Sequence, residues 1–353
     1  MGNILVRKPG LLTTVQDGGR HGYQQYGVPV SGVMDDYAYR LANLLVGNKE
    51  QEAVLEITML GPELEFQEDM VIALTGADLA ASLEGEKIPL YHAILVRSGE
   101  TLTFKGIQQG CRSYLAIAGG IQVPLVMNSK STYTRGKMGG YEGRSLKAGD
   151  TLETGKPEIK REALIERSLP QAVVDYPQEI NIRVVAGPQE DEFTEEGIKI
   201  FYSSRYAVTN ECDRMGYRLS GSEIVHKNGG DIISDGIAMG AIQVPGHGMP
   251  IVMMADRQTT GGYTKIANVI TVDLPKMAQA KPGDQIRFQK VTVEEAQALL
   301  KKQEDEFEAY REILKNKSPY RRELFRYRKG KKQYALVIEE IQEGGDADGK
   351  NEG

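Results

Sequence analysis

The chain has 353 residues, of which 40% are hydrophobic and 26% charged, so it holds enough apolar material for two packed domains or one large one. A formal net charge of −6 argues against nucleic-acid binding, and no apolar run has the length of a membrane span or the form of a signal peptide. With two isolated cysteines, Cys111 and Cys212, and no metal-ligand spacing among four scattered histidines, the composition suggests a cytoplasmic protein with reduced thiols and no metal site.

Taken in chain order, NILVRK (3–8) reads as a strand closed by Pro9-Gly10. The next stretch, TTVQDGGRHGYQQYGVPVSGVMDD (13–36), has neither helical nor strand periodicity. It feeds a helix that starts at Asp35 or Asp36, carries Tyr37, Leu41, Leu44 and Leu45 on one face and ends at Gly47. The start of such a helix gathers free amides and suits an anion. Short strands follow in LEITMLGPELEF (55–66), MVIALTGADLAASL (70–83), ILVRSGETLTF (94–104) and CRSYLAIAGGI (111–121), punctuated by glycine turns. A second glycine-rich stretch spans 128–152.

Residues 156–180 are charged, proline-punctuated and read as a linker between an N-terminal domain (1–155) and a C-terminal one (181–292). Strand patterns resume in 180–188, 205–221, 231–246, 249–270 and 282–291. Three echoes recur in the same order: GRHGYQQYG with DRMGYRLSG, MVIALTGAD with PIVMMADRQ, and SGETLTF with PGDQIRF. They suggest an internal duplication of a β-rich unit. The remainder, 293–353, is a helical and disordered tail: a capping box at Thr292 and Glu295, helical spacing of Leu299, Leu300, Phe307, Tyr310, Ile313 and Leu314, a basic aromatic patch (319–332), a short strand, and a polar end (343–353).

Phosphate-loop, dinucleotide, metalloprotease and serine-hydrolase signatures are absent. Three segments stand out instead, each combining arginine, aspartate and tyrosine around glycine. The first carries Gln16, Asp17, Arg20, Tyr23 and Asp35. The second carries Asp213, Arg214, Tyr217 and Arg218. The third carries Asp256, Arg257, Gln258, Thr259, Thr260, Tyr263 and Lys265. An arginine fork pairs with carboxylate or phosphate, aspartate orients it or acts as a base, tyrosine supplies a flat wall, and amide and hydroxyl groups address a substrate amide.

The motifs GLLTTVQDGGRHGYQQYGVPVSGVMDDYAYRLANLLVGN, VIALTGAD, SKSTYTRGKMGGYEGR, CDRMGYRL and AIQVPGHGMPIVMMADRQTTGGY resemble the biotin-dependent carboxyltransferase, or allophanate hydrolase subunit 2, family over roughly residues 3–292. That family includes C subunits of 5-oxoprolinase and the KipI antagonist KipA. Cys212 stands where the family more often has serine. The resemblance implies a mainly β chain, with two related cyclophilin-like β-barrel domains, a few helices and a C-terminal helical extension. It implies one subunit of an ATP-dependent complex opening 5-oxoproline to L-glutamate. The implied partners are a KipI-like B subunit, together with a LamB/YcsF-type A subunit. ATP would be consumed by the complex, with no metal or biotin on this chain and no nucleic-acid or membrane partner. The alternatives are a regulatory antagonist of a KipI-like histidine kinase inhibitor and a urea/allophanate-type carboxyltransferase component. On this reading Asp256, Arg257, Gln258 and Tyr263 are catalytic. Arg20, Tyr23, Asp213, Arg214, Tyr217, Arg218, Thr259 and Thr260 bind substrate, and Arg20, Arg214 and Arg257 are expected to converge on one pocket.

Overall fold

The computed structural model describes residues 2–165, 167–315, 320–329 and 332–341, the last two segments as backbone alone. The chain is mainly β, as expected. In the first half, a seven-stranded and a five-stranded sheet enclose a common core. Strands Gly2–Lys8, Glu63–Phe66 and Thr101–Phe104 lie together in the larger sheet, and Val54–Thr58, Gln109–Ile117 and Met70–Asp78 in the smaller. The smaller sheet is apolar on both faces. Along Met70–Asp78, Ile72 and Leu74 turn into the inter-sheet core, while Val71 and Ala73 pack beneath helix α1 (Asp36–Leu45). Covering both faces explains why these strands read as continuous apolar runs.

In the second half the sheet closes on itself. Strands Glu179–Ala186, Gln285–Lys290, Tyr206–Cys212, Gly216–Ser220, Ile251–Met253, Ala241–Val244 and Thr260–Val269 follow one another around a ring that returns to Glu179–Ala186. Asp231–Gly236 hangs on its edge. Ile182, Val208, Leu219, Val252, Ile266 and Phe288 belong to the core of this half.

The connector contains one turn of helix, α2 (Arg161–Leu164), and packs on the first half, burying Leu164 and Leu169 beside α1. Two helices were not legible in the sequence: α3 (Glu195–Ser203), whose Phe201 stacks on Phe288, and α4 (Leu274–Gln279). The capping box forms as expected: Thr292 N–H donates to Glu295 and Glu295 N–H to Thr292 Oγ1. It opens α5 (Val293–Lys315), which returns to the first half. There Phe307 and Tyr310 join the α1 cluster, and Arg40 lies over the Phe307 ring at 3.9 Å while pairing Glu304. Ile313, placed on the same stripe by spacing, is half exposed. The basic patch includes a strand, Tyr320–Lys329, paired antiparallel with Lys332–Ile341; residues 343–353 lie outside the described residues.

The sequence echoes are matched unevenly. SGETLTF and PGDQIRF each make a turn and a strand, whereas GRHGYQQYG is a loop with one 3-10 turn and DRMGYRLSG enters a strand.

Candidate functional site

The three arginine-bearing segments meet where the two halves join, but their residues divide between a buried seam and an open cleft. In the seam, Arg214 is 6% exposed. Its Nε and Nη2 donate to Asp256 at 3.0 and 3.1 Å, its Nη1 to Glu56 Oε1 at 2.5 Å and its Nη2 to the Gly32 carbonyl at 2.5 Å. The second half's arginine thus grips a carboxylate and a carbonyl of the first half. Burial opposes its charge, yet Asp256 and Glu56 hold its pKa above arginine's ordinary value.

Arg20 is fully buried and donates through Nη2 to the Ser131 carbonyl. Burial pulls its pKa down against the fields of Asp17 and Asp256. Asp17 ties the opening loop to the second glycine-rich stretch, accepting from Gly19 N–H at 2.9 Å, Ser129 Oγ at 2.7 Å and Lys130 N–H at 2.6 Å. Gln16 donates to the Thr132 carbonyl. The irregular opening segment therefore uses its polar groups to hold loops together and to dock the second half, with Ser31 N–H donating to the Ala255 carbonyl at 3.1 Å.

The helix start expected to suit an anion is already satisfied. Asp35 is the N-cap of α1, accepting from Ala38 N–H at 2.9 Å and from the Gln279 side chain of α4 at 2.7 Å. Burial pushes Asp35 up to about 6, against the lowering effect of those two hydrogen bonds.

Arg257 is 7% exposed. Its Nε and Nη1 donate to the carbonyls of Ile237 and Met254, and burial lowers its pKa to about 10. Tyr217 is buried too, its hydroxyl 2.5 Å from Arg112 Nη1. Arg214 alone of the three arginines pairs with Asp256, and Arg20 lies near enough to feel the fields of Asp256 and Arg214. Arg20, Arg214 and Arg257 were expected to share a concave pocket; all three are buried, and none lines the neighbouring cleft. The reason is local: Arg214 is buried against carboxylates and a main-chain carbonyl and Arg257 against two main-chain carbonyls, while Arg20 is buried with one bond to the Ser131 carbonyl, its Nε and Nη1 meeting no acceptor among the described residues.

The cleft lies next to this seam. Its volume is about 480 Å³, and its walls include Arg135, Cys212, Asp213, Arg218, Gln243, Gln258 and Tyr263. Arg135 comes from the second glycine-rich stretch of the first half; the others come from the barrel. Asp213 pairs with Arg135 at 3.1 Å across the halves, and Arg218 with Glu211 at 2.9 Å, all four more than half exposed. Burial raises the Cys212 thiol above its ordinary pKa, which leaves it a neutral wall. Of the expected site residues, the cleft gathers Asp213, Arg218, Gln258 and Tyr263. Thr259 sits in the bend after Gln258, its carbonyl receiving Ile237 N–H, and Thr260 opens the strand Thr260–Val269 opposite Gly236. Tyr23 is half-buried in its own turn and does not line the cleft. Lys265 is buried and pairs Asp235 at 3.0 Å.

Sequence reasoning missed Glu56, Arg112, Arg135 and Gln243. Three of them had a signal: VLEIT, CRSYLAI and AIQV each place one charged or carboxamide side chain inside a largely apolar strand segment. A buried polar group must find a partner, so such positions point to seams and sites.

Residues 26–290 match the family model described as the carboxyltransferase domain, subdomains A and B. The chain belongs to that carboxyltransferase family, the one its motifs resemble. It is 40% identical over 305 residues to the protein of Escherichia coli K12 named as the C subunit of 5-oxoprolinase, covering 86% of this chain and 96% of that one. It is 37% identical to the urea amidolyase of Saccharomyces cerevisiae, covering 85% of this chain but 17% of the larger protein. The crystal structure of the Kluyveromyces lactis urea carboxylase superposes with a TM-score of 0.80 at 31% identity, over 97% of this chain and 34% of that one. No helix among the described residues is long and apolar enough to cross a membrane.

Proposed function

We propose that this chain is the C subunit of an ATP-dependent 5-oxoprolinase, opening 5-oxoproline to L-glutamate together with a KipI-like B subunit, which it would contact, plus a LamB/YcsF-type A subunit. The observation that carries the reading is the cleft at the junction of the halves, where two guanidinium groups, three carboxamides (Asn210, Gln243 and Gln258) and a tyrosine ring face one space. The substrate is a planar ring bearing one carboxylate and one lactam. Arg218 and Arg135 offer forks for the carboxylate, Gln258 addresses the lactam, and Tyr263 walls the ring. Donors held where oxyanion charge develops lower the barrier to water attack on the carbonyl. The C–N bond then breaks, water supplies the new carboxylate oxygen, and the nitrogen leaves protonated. ATP, bound by the assembly, supplies the driving force; this chain binds and orients the lactam. Arg214, Asp256, Tyr217, Arg257 and Arg20 act as positioning residues behind the cleft.

The chain spans nearly all of the 5-oxoprolinase C subunits it resembles and a small part of the urea amidolyases. The test is glutamate release from 5-oxoproline and ATP by the three reconstituted subunits, with this chain present, absent or carrying Arg218→Ala. Turnover should require the chain and fall sharply in the variant. Turnover indifferent to the chain, with the KipI-like partner still bound, would point to the regulatory antagonist instead.

A further inference from the structure

Gln243 occupies the middle of the barrel strand Ala241–Val244, opposite Ile251 on one side and Lys265 on the other. It is 1% exposed, yet it lines the cleft. Its Nε2 finds no hydrogen-bond acceptor among the described residues. A buried donor left unpaired costs about 1–3 kcal/mol, and folds keep such groups chiefly where something else completes them. A Cβ added at Gly261 would stand 2.6 Å from Ile237 Cδ1, 2.9 Å from Gln243 Nε2 and 3.5 Å from Gln258 Nε2, so glycine at 261 is what lets both amides pack against this strand. Ile251 and Met253 make this part of the wall apolar and add no acceptor.

Resting on the reading of this cleft as the lactam site, we infer that Gln243 is a specificity-determining residue, whose Nε2–H donates to the carbonyl oxygen of a neutral amide, lactam or ureido group. The guanidinium groups stand at the cleft's more exposed ion pairs, so they suit the charged end of a ligand, and the buried carboxamide suits its neutral end. A ring lacking the carbonyl would leave the amide as unpaired as before. Sites built to hydrogen-bond one group reject analogues lacking it far more strongly than apolar pockets reject a missing methylene.

The experiment compares 5-oxoproline with L-proline, and separately urea and biotin, as ligands of the full chain, alone and with its partner subunits. Wild type should prefer 5-oxoproline over L-proline by about a hundredfold or more. Gln243→Met keeps the volume and removes the donor. It should weaken 5-oxoproline by roughly tenfold or more and close the gap to L-proline, while its Tm stays level or rises because no unpaired donor remains. Gln243→Glu, which places an acceptor against the carbonyl, should weaken the lactam further. A folded Gln243→Met variant that keeps both affinity and preference overturns the inference and leaves the lactam reading intact. If 5-oxoproline does not bind but urea or biotin does, and Gln243→Met weakens it, the inference stands and the lactam reading falls. If none of the three carbonyl ligands binds wild type, both fall.

Discussion

The seam and the cleft are built from neighbouring residues of the same types, and they do opposite things with them. Arg214 and Asp256 are buried and locked together, whereas Asp213 and Gln258, one or two steps away along the chain, face the cleft. Tyr217 points inward to Arg112, and Arg218 points outward. Strand alternation accounts for the division at Tyr217 and Arg218, because successive side chains leave opposite faces of the sheet. The energetics follow the burial. Exposed ion pairs contribute about 0–1 kcal/mol and exchange partners readily, which suits groups that must accept a ligand. A buried charge without its partner is costly, which suits groups that must fix how two halves meet.

The sharpest break of this comparison is Arg214→Met. It strands Glu56 and Asp256 in the seam and should cost about 3–5 kcal/mol in urea unfolding. A loss below about 1 kcal/mol would place the seam in the same class as the exposed pairs. Asp35→Asn separates charge from hydrogen bonding at the same junction. The folded pKa of Asp35, about 6, lies above its ordinary value, so the group favours folding when protonated in both states, and that contribution is lost as pH rises through about 6. The wild type should therefore lose stability between about pH 4 and 6 relative to Asp35→Asn, which keeps the cap acceptor. Parallel pH profiles would mean that the Asp35 charge is tolerated as well in the folded state as in the unfolded one. Arg257→Ala comes next: it frees the Ile237 and Met254 carbonyls and should cost about 1–3 kcal/mol. A loss of turnover in this variant without a fall in Tm would move Arg257 from positioning to direct contact.

Much of the fold was legible because local pattern and tertiary role agree. The apolar runs of Met70–Asp78 and Gln109–Ile117 are covered on both faces, and the Thr292 capping box opens α5 as its residues dictate. Helix α3 was not legible, since nine residues with Gly197 near the start carry too few apolar turns to outweigh strand propensity around Ile198, Ile200 and Phe201. α4 is shorter still, with Pro275 in its first turn. The candidate site was half legible. Composition singled out segments that meet at the junction of the halves, but which arginine faces water depends on register and on how far each strand runs, and neither is written in residue type. Glu56 and Gln243 were passed over because a lone polar residue in an apolar strand looks like noise until its burial is known.

The smallest expected effect on stability separates the two regions most cleanly. Arg218→Ala removes half of an exposed pair with Glu211 and should change unfolding free energy by less than about 1 kcal/mol. If Arg218 receives the ligand carboxylate, the same change should weaken 5-oxoproline by roughly tenfold or more, since hydrogen bonds to charged groups contribute about 1.5–3 kcal/mol. Glu211→Gln then has the opposite sign. It withdraws the carboxylate that competes with the ligand for Arg218, so affinity should rise and its dependence on salt should steepen. In the seam the matching change, Glu56→Gln, leaves Arg214 short of a charge partner and should only destabilise. Calorimetric titration of Glu211→Gln showing weaker binding would mean that Glu211 orients Arg218 rather than competing for it, and the exposed pairs would then be as structural as the buried ones.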